Sequence, residues 1–250
     1  MVVAHRGTMS NTPKTSVNPV NKLSASKFSV PLVVATVHSQ AGLRLAEPLG
    51  RDDVDVLEIR VDALVEKLPG VRKLAANAKL PILLTVRNPA EGGIGNLSAA
   101  TRKKLLAEFL PAAAFVDVEL RSAVAMREVI AAAKARGVRV VISDHHFRRT
   151  PTLTQMRERR RRAFAAGADV FKLACLANDA VTVARLIEFV ADRNVGPVAA
   201  MGMGKFGQVS RLALACAGST LNYGYLDRPN APGQWEAREL KALLRRLGCS

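Results

Sequence analysis

Aromatic residues make up only 4% of this 250-residue chain, so any core it builds must rest mainly on Ala, Val and Leu. Cysteine is scarcer still. Cys175, Cys216 and Cys249 are odd in number and widely spaced, which argues against a disulfide framework or a zinc site and points to a reducing compartment. No uninterrupted apolar run reaches the roughly 20 residues that a membrane-spanning helix needs, and no secretory signal core is visible. The chain therefore reads as soluble and cytoplasmic. Acidic residues are in deficit, 21 against 37 Lys and Arg, for a formal charge of +16. The plain reading is a solvated, arginine-rich surface, although such a surface also attracts anionic partners. The densest run, RERRRR (Arg157 to Arg162), has no aromatic residues interleaved for base stacking, which disfavours nucleic acid.

Residues 1–30 contain no Asp or Glu and are rich in Ser, Thr, Asn and Pro without periodicity. They read as a disordered basic tail, with Met9 as an alternative start. A transit peptide would show a clearer amphipathic arginine pattern. From residue 31 to 250 a rhythm sets in, short β-branched runs alternating with Ala/Leu/Arg segments of helical period. The strand candidates are 31–37, 54–60, 81–86, 113–120, 138–143, 168–174, 196–201 and 219–225. Helical segments include 98–110, 178–193 and 233–248. Eight βα units in one stretch without a compositional break predict a single (β/α)₈ barrel domain, whose usual size is ~250 residues. An open doubly wound sheet is the competitor.

Unusual polar residues gather at the C-terminal ends of these strands, where a barrel keeps its chemistry. Glu58 and Arg60 end the second strand and share a face at i, i+2 spacing. Arg87 follows the third, Asp117 and Glu119 close the fourth, and His145 and His146 follow the fifth. Lys172 interrupts the apolar sixth, and Arg211 and Gln234 follow the last two. Singly, each has a plain structural reading: a Glu58–Arg60 ion pair, a hydrogen-bonded histidine, a lysine reaching for the rim. Asp117 and Glu119 get no role beyond balancing the lysine or capping a turn. Jointly, they suggest chemistry. A lysine in an apolar strand beside positive neighbours has its charged form disfavoured, and a neutral amine attacks a carbonyl to give a Schiff base. The iminium acidifies an adjacent C–H, a histidine can shuttle that proton, and rim arginines suit a carboxylate. The residues alone reach a metal-free lyase or aldolase acting on a keto acid.

Two motifs point elsewhere. GMGKFG (202–207) matches the dinucleotide-binding fingerprint, with Asp227 downstream as the acidic residue, but it arises at the seventh of eight strands. Asp144, His145 and His146 form the triplet of metal-dependent phosphoesterases, without the further aspartates that such sites need.

Taken in order, six segments resemble type I 3-dehydroquinate dehydratase over roughly residues 31–240: EIRVD (58–62), RNPAEGG (87–93), SDHHFRRTP (143–151), DVFKLA (169–174), MGMGKFGQVSRL (201–212) and APGQ (231–234). The resemblance implies a shikimate-pathway lyase that needs no metal or nucleotide, acts in the cytoplasm and forms a homodimer. It implies Lys172 as the Schiff-base lysine, His145 rather than His146 as general acid/base, and Glu91 as the residue that orients His145. Glu58, Arg60, Arg87 and Gln234 would hold hydroxyls and carboxylate, with Arg211 the main carboxylate partner. Two positions depart from the family pattern. Asn230 stands where a substrate-contacting Ser is usual, and His146 replaces the usual Asp, adding a second imidazole able to shift the pH profile of His145. A class I aldolase would share the lysine but need other substrate contacts. A dehydrogenase would need an open sheet, and a nucleic-acid binder would show steep salt dependence regardless of Lys172.

Overall fold

The computed structural model describes residues 31–192 and 194–249; the expected tail, 1–30, lies outside the described residues. Among these the strands are β1 (Leu32–Val37), β2 (Val56–Arg60), β3 (Ile82–Thr85), β4 (Phe115–Glu119), β5 (Arg139–His146), β6 (Val170–Leu176), β7 (Val198–Met203) and β8 (Leu221–Tyr225). They alternate with α1 (Gln40–Ala46), α2 (Leu68–Asn77), α3 (Ala99–Phe109), α4 (Arg127–Ala135), α5 (Leu153–Ala165), α6 (Ala180–Ala191), α7 (Gly207–Cys216) and α8 (Ala237–Arg246). All eight expected strands are present. Each pairs in parallel with its successor from β1 to β7, and β8 returns beside β1, with Leu32 opposite Leu221. The architecture is a (β/α)₈ barrel, and the open doubly wound alternative is excluded because consecutive strands are neighbours throughout.

Closure is nearly complete. Between β7 and β8 the seam is held by the two residues just before β8: Thr220 N–H donates to Val198 O at 2.8 Å, and Ser219 Oγ accepts from Ala200 N–H at 3.0 Å.

Strand alternation explains the long apolar runs, because a parallel sheet is buried on both faces. Val33, Ala35 and Val37 of β1 face the helices with Leu57, Ile59, Val140 and Ile142. Val34, Val56, Leu83, Phe115, Val141, Val170 and Leu221 form a second cluster that plugs the barrel interior. The helices start where side chains satisfy their free N–H groups. Thr152 and Gln155 make a reciprocal capping box on α5, and the Asp179 carboxylate accepts from Thr182 N–H on α6.

Two expectations need correction. Strand β5 runs on through His146 and β7 through Met203, so the two histidines and Gly202 lie inside strands instead of after them. The cysteines also defeat the argument from odd number and spacing, because Cys216 and Cys249 form a disulfide across 33 residues of sequence. Cys216 ends α7 and Cys249 follows α8, so neighbouring helices in the outer ring bring the two thiols together. Cys175 is free and buried in β6.

The arginine run on α5 is largely spent on ion pairs: Arg157 and Arg160 with Asp192, Arg159 with Asp144, and Arg161 with Glu158. No helix among the described residues is long and apolar enough to cross a membrane.

Candidate active site

Above the apolar plug the interior positions turn polar. Thr36, Glu58, Thr85, Asp117, Ser143 and Lys172 continue the inward-facing alternation of β1 to β6, and all are buried. Every site residue singled out from the sequence lines one cavity at this end of the barrel: Glu58, Arg60, Arg87, Glu91, His145, Lys172, Arg211, Asn230 and Gln234. Met201, Met203 and Tyr223 supply apolar wall.

Lys172 sits at 4% exposure. The cationic surroundings expected for it are corrected at close range. Its Nζ donates to Asp117 Oδ2 at 3.1 Å and lies 3.7 Å from Glu58 Oε1. Asp117, left without a role in the sequence, is the hub of the network. It accepts a forked pair from Arg87 at 2.8 and 2.9 Å, and a 2.6 Å bond from the Ser143 hydroxyl. Burial would raise its pKa, but Arg87 and then Lys172 hold it far below the usual carboxylate range. Arg87 is pushed down by burial but held well above its ordinary value overall by Asp117 and Glu119. Glu119, also unassigned from sequence, accepts from Arg87 at 3.2 Å and from Arg102. Arg87 therefore reaches the cavity with its guanidinium already committed to carboxylates.

The anticipated Glu58–Arg60 ion pair is not formed. Arg60 forks onto Asp62 at 3.0 and 2.7 Å, while Glu58 accepts from the hydroxyls of Thr36 at 3.0 Å and Thr85 at 2.9 Å. Asp62 further anchors the backbone N–H groups of Arg87 and Ile94, both at 3.1 Å. This explains the EIRVD spacing, since its aspartate fixes both its own arginine and the loop that carries Glu91.

Glu91 closes a single 3₁₀ turn, Pro89–Glu91, capped by Asn88. Gly92 follows at φ 82°, and a Cβ on Gly93 would stand 2.2 Å from Arg87 O, so the paired glycines are required by the backbone. The turn delivers Glu91 Oε2 to His145 Nδ1 at 2.8 Å and to His145 N at 3.2 Å. Burial raises Glu91 to about 8. His145 moves the other way, well below its ordinary value, through burial and then the charges of Arg87 and Lys172. Its imidazole is thus neutral at neutral pH and able to accept a proton. In the β5–β6 register Ser143 faces Lys172, so His145 occupies the next interior position above it. His146 alternates to the other face and pairs with Asp144 at 2.8 Å. The Asp-His-His triplet is therefore divided between two separate pairs.

Arg211 on α7 is 2% exposed and donates to Gly233 O at 2.9 Å and Tyr223 O at 3.1 Å. It forms no ion pair with a carboxylate among the described residues, and burial pushes it down to about 10. It remains a cation facing the cavity without its natural partner. The glycines of GMGKFG serve this placement: a Cβ on Gly207 would fall 2.7 Å from Gly233 Cα, so the loop carrying Gly233 could not close. Across the mouth, Gln234 Oε1 accepts the backbone N–H groups of Asn230 at 2.8 Å and Ala231 at 3.2 Å. That fixes the amide orientation and leaves its NH₂ as a donor.

The model of the type I 3-dehydroquinase family matches residues 28–249 of this chain. The chain belongs to the type I 3-dehydroquinase family. Membership makes it a carbon–oxygen lyase. A 3-dehydroquinate dehydratase of Methanocella arvoryzae is 37% identical over 219 residues, covering 87% of this chain and 97% of that one. One from Methanosarcina barkeri is 34% identical over 229 residues, covering 86% and 94%. Among solved structures, a type I 3-dehydroquinate dehydratase from Clostridium difficile superposes with a TM-score of 0.78 at 28% identity, covering 87% of this chain and 92% of that one. This type I 3-dehydroquinase chain also has site residues that the sequence reading passed over. Asp117 and Glu119 were visible as inward carboxylates, but their arginine partners come from other strands and helices. Tyr223 lies in the eighth strand, and nothing in its local sequence marks it out.

Proposed function

We propose that the chain dehydrates 3-dehydroquinate to 3-dehydroshikimate and water through a Schiff base on Lys172, with His145 as general acid/base. The observation that carries this reading is a buried lysine and a neutral buried histidine on the inner faces of adjacent strands, lining one cavity. Family membership and the names of the relatives support the substrate, and the Clostridium difficile relative's structure is described with covalently modified comenic acid.

Lys172 gives up a proton, and its nitrogen pair attacks the C3 ketone; the carbonyl π pair moves to oxygen, which takes a proton. Arg87 and Lys172 hold Asp117 ionised beside the lysine, and His145 serves the proton transfers. The carbinolamine hydroxyl is protonated and leaves as water while nitrogen's pair closes the C=N bond. The iminium makes the C2 proton acidic. His145 removes it, and the C–H pair becomes the enamine π bond. The enamine then expels the C1 hydroxyl, to which His145 returns a proton, so a second water leaves. Addition of one water hydrolyses the conjugated iminium, freeing product and lysine. Net, one water is lost.

Glu91 holds the imidazole by Nδ1 so that Nε2 faces substrate. Arg211 receives the substrate carboxylate, and Arg60, Gln234 and Asn230 take hydroxyls. Arg87 acts mainly through Asp117, setting the charge beside the lysine.

Intact mass after incubation with 3-dehydroquinate and sodium borohydride tests the reading. A ligand-sized adduct on the wild type that maps to residues 169–178 and vanishes in Lys172→Ala is expected. Turnover without an adduct, or an adduct that persists in Lys172→Ala, would overturn it.

A further inference from the structure

Lys172 has a third close neighbour besides its two carboxylates. Its Nζ stands over the ring of Tyr223, 4.0 Å from the centroid. That is inside the roughly 6 Å at which an aromatic face attracts a cation, and burial strengthens the attraction. Tyr223 projects inward from β8 at 3% exposure, and its hydroxyl makes no hydrogen bond among the described residues. Burial and then Glu58 and Asp117 raise the phenol well above its ordinary value, so it stays protonated and supplies no charge. What the residue offers is its π face.

We propose that Tyr223 is a positioning residue whose ring face holds the nitrogen of Lys172 and favours the cationic iminium that forms on it. The proposal rests on the Schiff-base reading above. When the carbinolamine breaks down, its C–O pair leaves with oxygen as water and nitrogen's pair forms the C=N bond, so positive charge appears on nitrogen. Nitrogen has by then exchanged N–H bonds for carbon and donates fewer hydrogen bonds to Asp117. The ring attracts charge without needing a donated hydrogen, and it cannot take a proton or attack the iminium. It therefore stabilises the iminium where the carboxylates have lost part of their hold.

The test replaces Tyr223 with phenylalanine and with phenylalanines bearing one, two or three ring fluorines, which drain the π face at nearly constant volume. The readout is the rate of borohydride-trapped adduct with the product ketone, with thermal midpoints as a check on folding. Tyr223→Phe should trap within about threefold of wild type, and three fluorines should slow trapping about tenfold, in graded steps. Tyr223→Leu should resemble the most fluorinated form. Equal rates across the series, or a loss in Tyr223→Phe as large as in Tyr223→Leu, would overturn the role of the ring and leave the Schiff base standing. No adduct on the wild type would overturn both.

Discussion

A single oxygen of Glu91 binds His145 twice: Oε2 takes the ring Nδ1 at 2.8 Å and the backbone N–H of the same residue at 3.2 Å. An oxygen accepting twice is best served by a carboxylate, with Nδ1 as the donor and Nε2 left free as base.

The first prediction concerns pH. With Glu91 raised to about 8, the Nδ1–H form of neutral His145 is fully available only once Glu91 ionises. Activity should therefore rise as pH passes upward through about 8, and Glu91→Gln should abolish that limb and lower kcat by about 100-fold. The sign for stability is opposite. Folding raises the Glu91 pKa, so its contribution is complete below the ordinary value near 4.5 and is lost as pH climbs to about 8. Relative to Glu91→Gln, wild type should lose stability across that window and run parallel above it. Paired rate and urea profiles check both.

Arg211 gives the second. It is buried on two carbonyl oxygens without a carboxylate, so its removal takes away ligand binding without orphaning an internal anion. Arg211→Met should raise KM about 100-fold with a smaller change in kcat, since a charged hydrogen-bonded pair contributes ~1.5–3 kcal/mol. Arg211→Lys should recover only part of this, because a single ammonium cannot fork onto a carboxylate. Stability should change little in Arg211→Met, because relief of a buried charge offsets the two carbonyls left without their donor. A KM close to wild type would remove Arg211 from the carboxylate-binding role.

The third concerns Asp117, which joins Arg87 to Lys172. Asp117→Asn leaves two buried cations short of one charge and should cost about 3–5 kcal/mol in urea unfolding. Combining it with Arg87→Met should cost clearly less than the sum of the two single changes, because the pair is coupled. Additive effects would mean that the forked contact contributes little.

Much of this arrangement was legible before any fold was drawn. Lys172 drew attention because a lysine in an apolar strand is conspicuous, and the rim placement of Arg60, Arg87 and His145 follows from strand ends alone. What stayed hidden depends on cross-strand register. Glu58 and Arg60 share a face, yet the nearer acceptor for Arg60 is Asp62, just past the strand. Asp117 and Glu119 looked like spare charge until Arg87 and Arg102 came round from other elements. Tyr223 meets Lys172 across an intervening strand, which no local pattern records. Cys216 and Cys249 misled because odd number and wide spacing describe the chain, whereas pairing depends on which helices stand side by side.

That disulfide also bears on how the ring holds its shape. Its cysteines end α7 and follow α8, the helices behind β7 and β8, and those are the two strands that do not zip together along their length. Seven of the eight joints around the barrel are continuous backbone ladders; the eighth is a short hydrogen-bonded seam with a covalent clasp on its outer side. The two sulfurs thus brace the wall from its outer side, at the one joint that no continuous ladder closes.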